Sequence, residues 1–277
     1  MGKIADIIKS SIGHLEFFSG GWKYRADELL VLCMHSTPAD RMKSFAVITD
    51  DLLKHFKPLH PNQLEAYYRG ELQEGPYVLF TFDDGLKNNL PVAEFLHSRG
   101  LGAFFFLVPD FISSNEQMLY YRKNIRPIID PTLDKLDEDF SAMSQEDVLN
   151  LLKHGHQIGS HTMSHLLRNT ATAEEVNREV VESQKLLKAW FGCDVNSFCS
   201  VIQTTISVNA MAKSAIEQQY KFHFTTFPGL NGAEKNPRMI FRRNIEVNWS
   251  KGKIRFALGQ WDLRRWKPQI LHFLSLR

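Results

Sequence analysis

The 277-residue chain is 43% hydrophobic and 23% charged with a formal net charge of +2, the composition of an ordinary globular protein large enough to bury a core without metal or disulfide staples. That excludes collagenous, coiled-coil and disordered classes. Three cysteines, Cys33, Cys193 and Cys199, lack CxxC spacing and support neither a disulfide framework nor a cysteine-based zinc site.

The first segment, 1–28, reads as an amphipathic helix without the small-residue cleavage site of a secretory signal, and no apolar run reaches the ~20 residues of a membrane span. A reducing, cytoplasmic setting is therefore expected. Strand-like runs then recur at Leu29–Met34, Tyr77–Phe82, Ala103–Val108, Gln157–Ser160, Val195–Ser200, Phe222–Thr226 and Ile240–Val247, separated by helical patterns. This alternation is the signature of βα units around a mainly parallel sheet. Ser144 is a predicted helix N-cap, Thr172 with Glu175 a capping box, and Gly155 and Gly192 are helix stops. Seven strands predict an α/β fold, an irregular (β/α)7 barrel over 29–248, with an open doubly wound sheet as the alternative. Residues 111–143 interrupt the alternation and read as an insertion over the functional face.

The basic segment 249–277 carries seven Lys/Arg against Asp262, so +6 resides there and −4 in the rest. Its apolar residues Ile254, Phe256, Leu258, Trp261 and Trp266 are interleaved with cations, as peripheral membrane contact would need, though a helix packed on the barrel needs them too and a solvated face accounts for the charges. The patch is too small to predict nucleic-acid binding.

Two motifs carry chemistry. YVLFTF runs into Asp83-Asp84-Gly85, placing two carboxylates at a strand tip, where one can bind a cation and the other move a proton. A second strand, QIGS, leads into His161-Thr-Met-Ser-His165, whose i, i+4 histidines on a helical turn would present both imidazoles to one ion. The HxxxH lacks the glutamate that zincin proteases use as base, so a carboxylate must come from elsewhere, and the aspartate pair supplies one.

With these stretches, TFDDG (81–85) followed by KNNLPVAEFLHSRGLGAFFFLVP, and HQIGSHTMSH (156–165), the chain resembles the polysaccharide deacetylases with a NodB-type domain, carbohydrate esterase family four. The resemblance implies a distorted seven-stranded barrel, a divalent metal, most often zinc, on Asp84, His161 and His165, and Asp83 as general base. A general acid is also needed to protonate the leaving amine. No late LLxH-like motif matches, and Leu271-His272 falls in the basic tail. His35, ending LLVLCMH, corresponds to the strand-end histidine of the circularly permuted branch and is the predicted acid. Where the family carries an Arg/Pro/aromatic motif, this chain reads Phe198-Cys199-Ser200-Val201-Ile202-Gln203. Arg242 or Arg243 could supply the missing guanidinium, though surface salt bridges are the expected fate of both; Arg243 is carried as a weak substrate-binding candidate. Cys199 is a poor nucleophile candidate, and His154, His156 and His223 read as structural.

The implied activity is metal-dependent removal of an N-acetyl group from a nucleotide-linked or lipid-linked sugar during assembly of a bacterial surface polysaccharide, in the cytoplasm or at the inner membrane surface. The alternatives are a catalytically silent carbohydrate-binding relative and an amidohydrolase acting on a non-sugar C–N bond.

Overall fold

The computed structural model describes residues 2–19, 22–72, 74–125, 140–201, 209–229, 231–232 and 236–259. The expected strands form one curled parallel sheet. β1 (Leu29–Met34), β3 (Tyr77–Phe82), β4 (Ala103–Leu107), β5 (Gln157–Ser160), β6 (Ser197–Cys199), β7 (Phe222–Phe224) and β8 (Arg243–Asn244) lie in the order β7-β6-β5-β4-β3-β1-β8. A two-residue strand that the pattern does not predict, β2 (Lys57–Pro58), pairs with the start of β3. Ile240 bridges Phe224 of β7 while Arg243 pairs with Leu32 of β1, so one short segment touches both edges of the curled sheet. The architecture is a NodB-type (β/α)7 barrel.

Successive side chains on a strand point to opposite faces, and the chain uses this to build two cores. Leu29, Val31, Tyr77, Leu79, Phe104, Phe106, Cys199, Phe224 and Ile240 pack inside the barrel. Their sequence neighbours Leu30, Leu32, Val78, Phe80, Phe105 and Phe198 face outward, under the helices. Both faces are covered, which is why β1, β3 and β4 are buried along their whole length and, Thr81 apart, nearly continuous in apolar side chains and not alternating.

The helices begin where the caps predict. Ser144 and Thr172 each close a capping box, at Asp147 and Glu175, and Gly155 and Gly192 adopt positive φ past helix ends. The helix begun by Thr172 is not uniform. It runs Ala173–Val176, passes through a π-helical stretch, Asn177–Glu182, and ends as Ser183–Phe191. Of the expected insertion, residues 126–139 lie outside the described residues. Its start folds as short helical turns whose Phe111, Tyr121 and Ile125 form a small separate core with Leu86, Val108, Phe140 and Ala142.

The expected last strand, Ile240–Val247, is corrected to Arg243–Asn244. The amide of Phe241 bonds the Asn231 side chain and that of Arg242 the carbonyl of Phe227, so these residues leave the ladder. The basic segment is a helix over Lys251–Leu258; residues 260–277, including Trp261, Trp266 and His272, lie outside the described residues. That helix packs against the N-terminal helix Gly2–Phe18. No described helix is long and apolar enough to cross a membrane.

Candidate active site

Strand ends place the predicted residues together at the mouth of the barrel. Past β3 the chain turns through Asp84 and Gly85, with φ of 72° and 71°. A Cβ on Gly85 would come within 2.9 Å of Leu107 Cδ2, so glycine meets both the conformational and the spatial demand. Asp84 has no such excuse, and a non-glycine residue held there is the kind of backbone strain that clusters at functional sites. Thr162 and His165 also have positive φ, 66° and 65°. The two histidines are therefore carried by a tight loop and not by the expected helical turn, because two left-handed residues within five cannot continue a helix.

The loop nevertheless brings both imidazoles onto Asp84. Asp84 Oδ1 lies 3.5 Å from His161 Nε2 and 3.4 Å from His165 Nε2, and all three residues are buried. Each ring is oriented from behind: His161 Nδ1 donates to the carbonyl of Cys199 (2.9 Å) and His165 Nδ1 to that of Asn124 (3.3 Å). With the proton on Nδ1, each Nε2 presents a lone pair. Burial pushes His161 down to about 4 and His165 to about 3, so both rings are neutral. Neither oxygen of Asp84 has a hydrogen-bond partner. Two lone pairs and a buried, unsatisfied carboxylate thus face a common point, an arrangement that costs free energy unless a cation sits there. The donor set fits a divalent ion of the zinc type, with ring orientation supplied by the backbone carbonyls.

Asp83 faces the other way, into the barrel. Inward parity along β3 runs Tyr77, Leu79, Thr81, Asp83, and along the last segment it includes Ile240 and Arg242. The Arg242 guanidinium grips the carboxylate with both Nη atoms, at 2.7 and 2.8 Å, and also reaches Thr81 Oγ1 (3.2 Å) and the carbonyl of Thr225 (2.9 Å). Burial alone would raise Asp83, but the Arg242 charge outweighs it and holds the carboxyl well below the usual range. Arg242 therefore sets a guanidinium against Asp83. The surface fate expected for both arginines is corrected: each is buried. Arg243, one residue on, points outward, and its Nε donates to the carbonyl of Ala257 (2.7 Å) in the C-terminal helix. This removes Arg243 from the mouth as a substrate contact.

His35, one residue beyond β1, joins the mouth: one of its nitrogens, a Cys33 sulfur and an Asp83 oxygen lie within 4.8 Å of one another. Its Nδ1 is 3.2 Å from Glu246 Oε1. Glu246 is absent from the sequence reading, and its only signal is its position two residues past β8, beside the strand that carries His35. His156 bonds the carbonyl of Ala93, and His223 bonds Ser200 Oγ at 2.7 Å on the outward side. His154 sits 3.3 Å from Glu94 Oε2, also away from the mouth.

Residues 71–204 match the family model for polysaccharide deacetylase. No curated protein sequence matches the chain. Among solved structures, IcaB from Ammonifex degensii aligns with a TM-score of 0.63 at 17% identity, covering 85% of this chain and 99% of that one. The Streptococcus pyogenes deacetylase PplD in complex with acetate gives 0.61 at 14%, covering 83% and 98%. The BpsB deacetylase domain from Bordetella bronchiseptica gives 0.61 at 14%, covering 81% and 98%. These likenesses establish a shared barrel, and the segment that carries both motifs at its mouth, residues 71–204, matches the polysaccharide deacetylase family model.

Proposed function

We propose that the protein is a metal-dependent hydrolase that removes an N-acetyl group from a sugar of a surface polysaccharide precursor. The observation that carries this reading is the orphaned Asp84 carboxylate facing two neutral, backbone-oriented imidazoles, with an arginine-tethered Asp83 alongside. A divalent ion on Asp84, His161 and His165, most simply zinc, would supply Lewis-acid polarisation of the acetyl carbonyl and an activated water. Asp83, ionised throughout the working range and fixed by Arg242, is oriented to take the proton of the attacking water. His35 is placed to give a proton to the departing amine, with Glu246 holding its ring. Arg242 beside Asp83 favours this reading over the catalytically silent relative, which rests on the altered 198–203 segment. The substrate suggested by the basic 249–277 segment is a nucleotide-linked or lipid-linked N-acetyl sugar, handled in the cytoplasm at or near the membrane surface.

The test separates the two aspartates. Asp84→Asn should lose the ion, as should His161→Ala and His165→Ala, because three ligands leave no redundancy. Asp83→Asn should keep it while acetate release falls on the order of 100-fold or more. Metal content by mass spectrometry and acetate release from N-acetyl sugars measure both. An ion retained by all three ligand variants would overturn the reading.

A further inference from the structure

A groove of about 300 Å³ lies outside the sheet, between the helix Met42–Leu53 and the C-terminal helix Lys251–Leu258. Its floor is apolar: Ile48, Leu52, Val247 and Ile254 are buried members of the outer core, and the half-buried rings of Trp22 and Trp249 stand beside them. Its charge is one-sided. Lys43, Lys251 and Arg255 line it against one acid, Asp51, which leaves the lining at +2. Asp51 is already met by Lys251 at 3.3 Å, Lys54 at 3.4 Å and Arg255 at 3.6 Å. Arg255 is 8% exposed; its Nη1 faces His14 Nδ1 at 3.1 Å, and its Nε has no hydrogen-bond partner among the described residues. A buried guanidinium N–H without an acceptor costs free energy that an anion in the groove would recover. The Trp249 amide donates to the carbonyl of Glu246 at 3.0 Å, so the groove lies on the flank of the barrel that carries Glu246.

We propose that this groove binds a single aliphatic chain ending in a phosphate monoester, with the chain over the outer core and the phosphate against Arg255, Lys43 and Lys251. The volume is at the small end of the range for ligand pockets, which suits one chain. A phosphate monoester carries about −1.5 to −2 near neutrality and so matches the +2 lining, whereas a carboxylate supplies half that charge. Its oxygens accept charge-assisted hydrogen bonds from a guanidinium and from ammonium groups alike. The site is separate from Asp84, His161 and His165, and its occupancy does not rest on the deacetylase reading.

The experiment is a calorimetric titration of the full chain with decyl phosphate below its micelle concentration. Wild type should bind one equivalent, decanoate roughly tenfold more weakly, and decyltrimethylammonium not at all. Lys43→Glu and Val47→Trp, both at exposed positions lining the groove, should each weaken decyl phosphate roughly tenfold. Arg255→Met should weaken it further; should that variant fail to fold, the two exposed positions still decide the matter. Binding should persist in Asp84→Asn, which separates the groove from a phosphate held by an ion at the mouth. The bromine of 10-bromodecyl phosphate should quench tryptophan emission, and less so in Trp249→Phe. No binding by wild type would overturn the proposal. So would decanoate or decyltrimethylammonium binding as tightly as decyl phosphate, wild-type affinity in both Lys43→Glu and Val47→Trp, loss of binding in Asp84→Asn, or quenching unchanged in Trp249→Phe. Failure of the deacetylase reading looks different: wild type releases no acetate, while decyl phosphate still binds.

Discussion

His35 stands between opposing influences. Burial disfavours its charged form, whereas the Glu246 carboxylate, 3.2 Å away, and the charges of Asp84 and Asp83 favour it, and the balance raises it to about 9. Because the folded value lies above the ordinary ~6.5, the stabilisation from this pair is complete below that pH and is lost as pH rises through about 9. The same sign applies to catalysis: the acid stays protonated until the alkaline limb. Glu246→Gln removes the favourable charge, so the alkaline limb of the pH–rate profile on an N-acetyl sugar should move to lower pH, by on the order of one unit. His35→Ala should lose most amide hydrolysis yet spare an activated aryl acetate, whose leaving group needs no proton. A limb that does not move in Glu246→Gln would assign the acid elsewhere. At this scale Asp83, Asp84, His161 and His165 are legible because short motifs end strands. Arg242 is less so: choosing it over Arg243 requires knowing that Ile240 points inward, and a two-residue strand with a bridge gives the pattern too few positions to fix that parity.

Glu179 illustrates what one helix does for the loop that carries His161 and His165. It lies in the π-helical stretch Asn177–Glu182, is buried, and its carboxylate accepts from both the amide and the hydroxyl of Ser164, at 2.8 Å each, while Arg178 donates to it at 2.6 Å. A π-helical stretch inserts a residue into the helical repeat and so re-aims a side chain, a device found at functional sites. Here it pins the loop immediately before His165, a residue with left-handed backbone. Glu179→Ala should leave the fold intact but weaken metal binding about tenfold or more, read by competition with a chromophoric chelator, and Glu179→Gln should recover part of the loss. Unchanged affinity in Glu179→Ala would show that the loop holds itself. The capping box at Thr172 made the start of this helix legible, since a cap is a local hydrogen-bond pattern. The π-helical stretch was not, because hydrophobic spacing does not register a single inserted residue when neighbouring turns keep their buried face.

Across the whole molecule, the parallel strands followed from the βα alternation, but the role of the C-terminal helix did not, because composition marks its charge and not its partners. Trp22 Nε1 and Tyr24 OH donate to the carbonyls of Arg255 and Leu258, and Arg243 Nε donates to that of Ala257, so the helix is fastened to the chain before β1 and to β8. Arg243 thereby fixes the strand whose preceding residue, Arg242, grips the carboxylate of Asp83. Two roles for Arg243 now make opposite kinetic predictions. As a substrate contact, Arg243→Met would raise KM and leave the fold untouched. As the clamp observed here, it should leave orphaned helix carbonyls and a loosened β8, costing about 1–3 kcal/mol, which for a chain of this size is a drop of roughly 2–4 °C in Tm per kcal/mol. Through the displaced Arg242, kcat should fall while KM and the ion on Asp84, His161 and His165 stay near wild type. Thermal unfolding together with steady-state kinetics on one N-acetyl sugar decides between them: an unchanged Tm with a raised KM would return Arg243 to the mouth of the barrel.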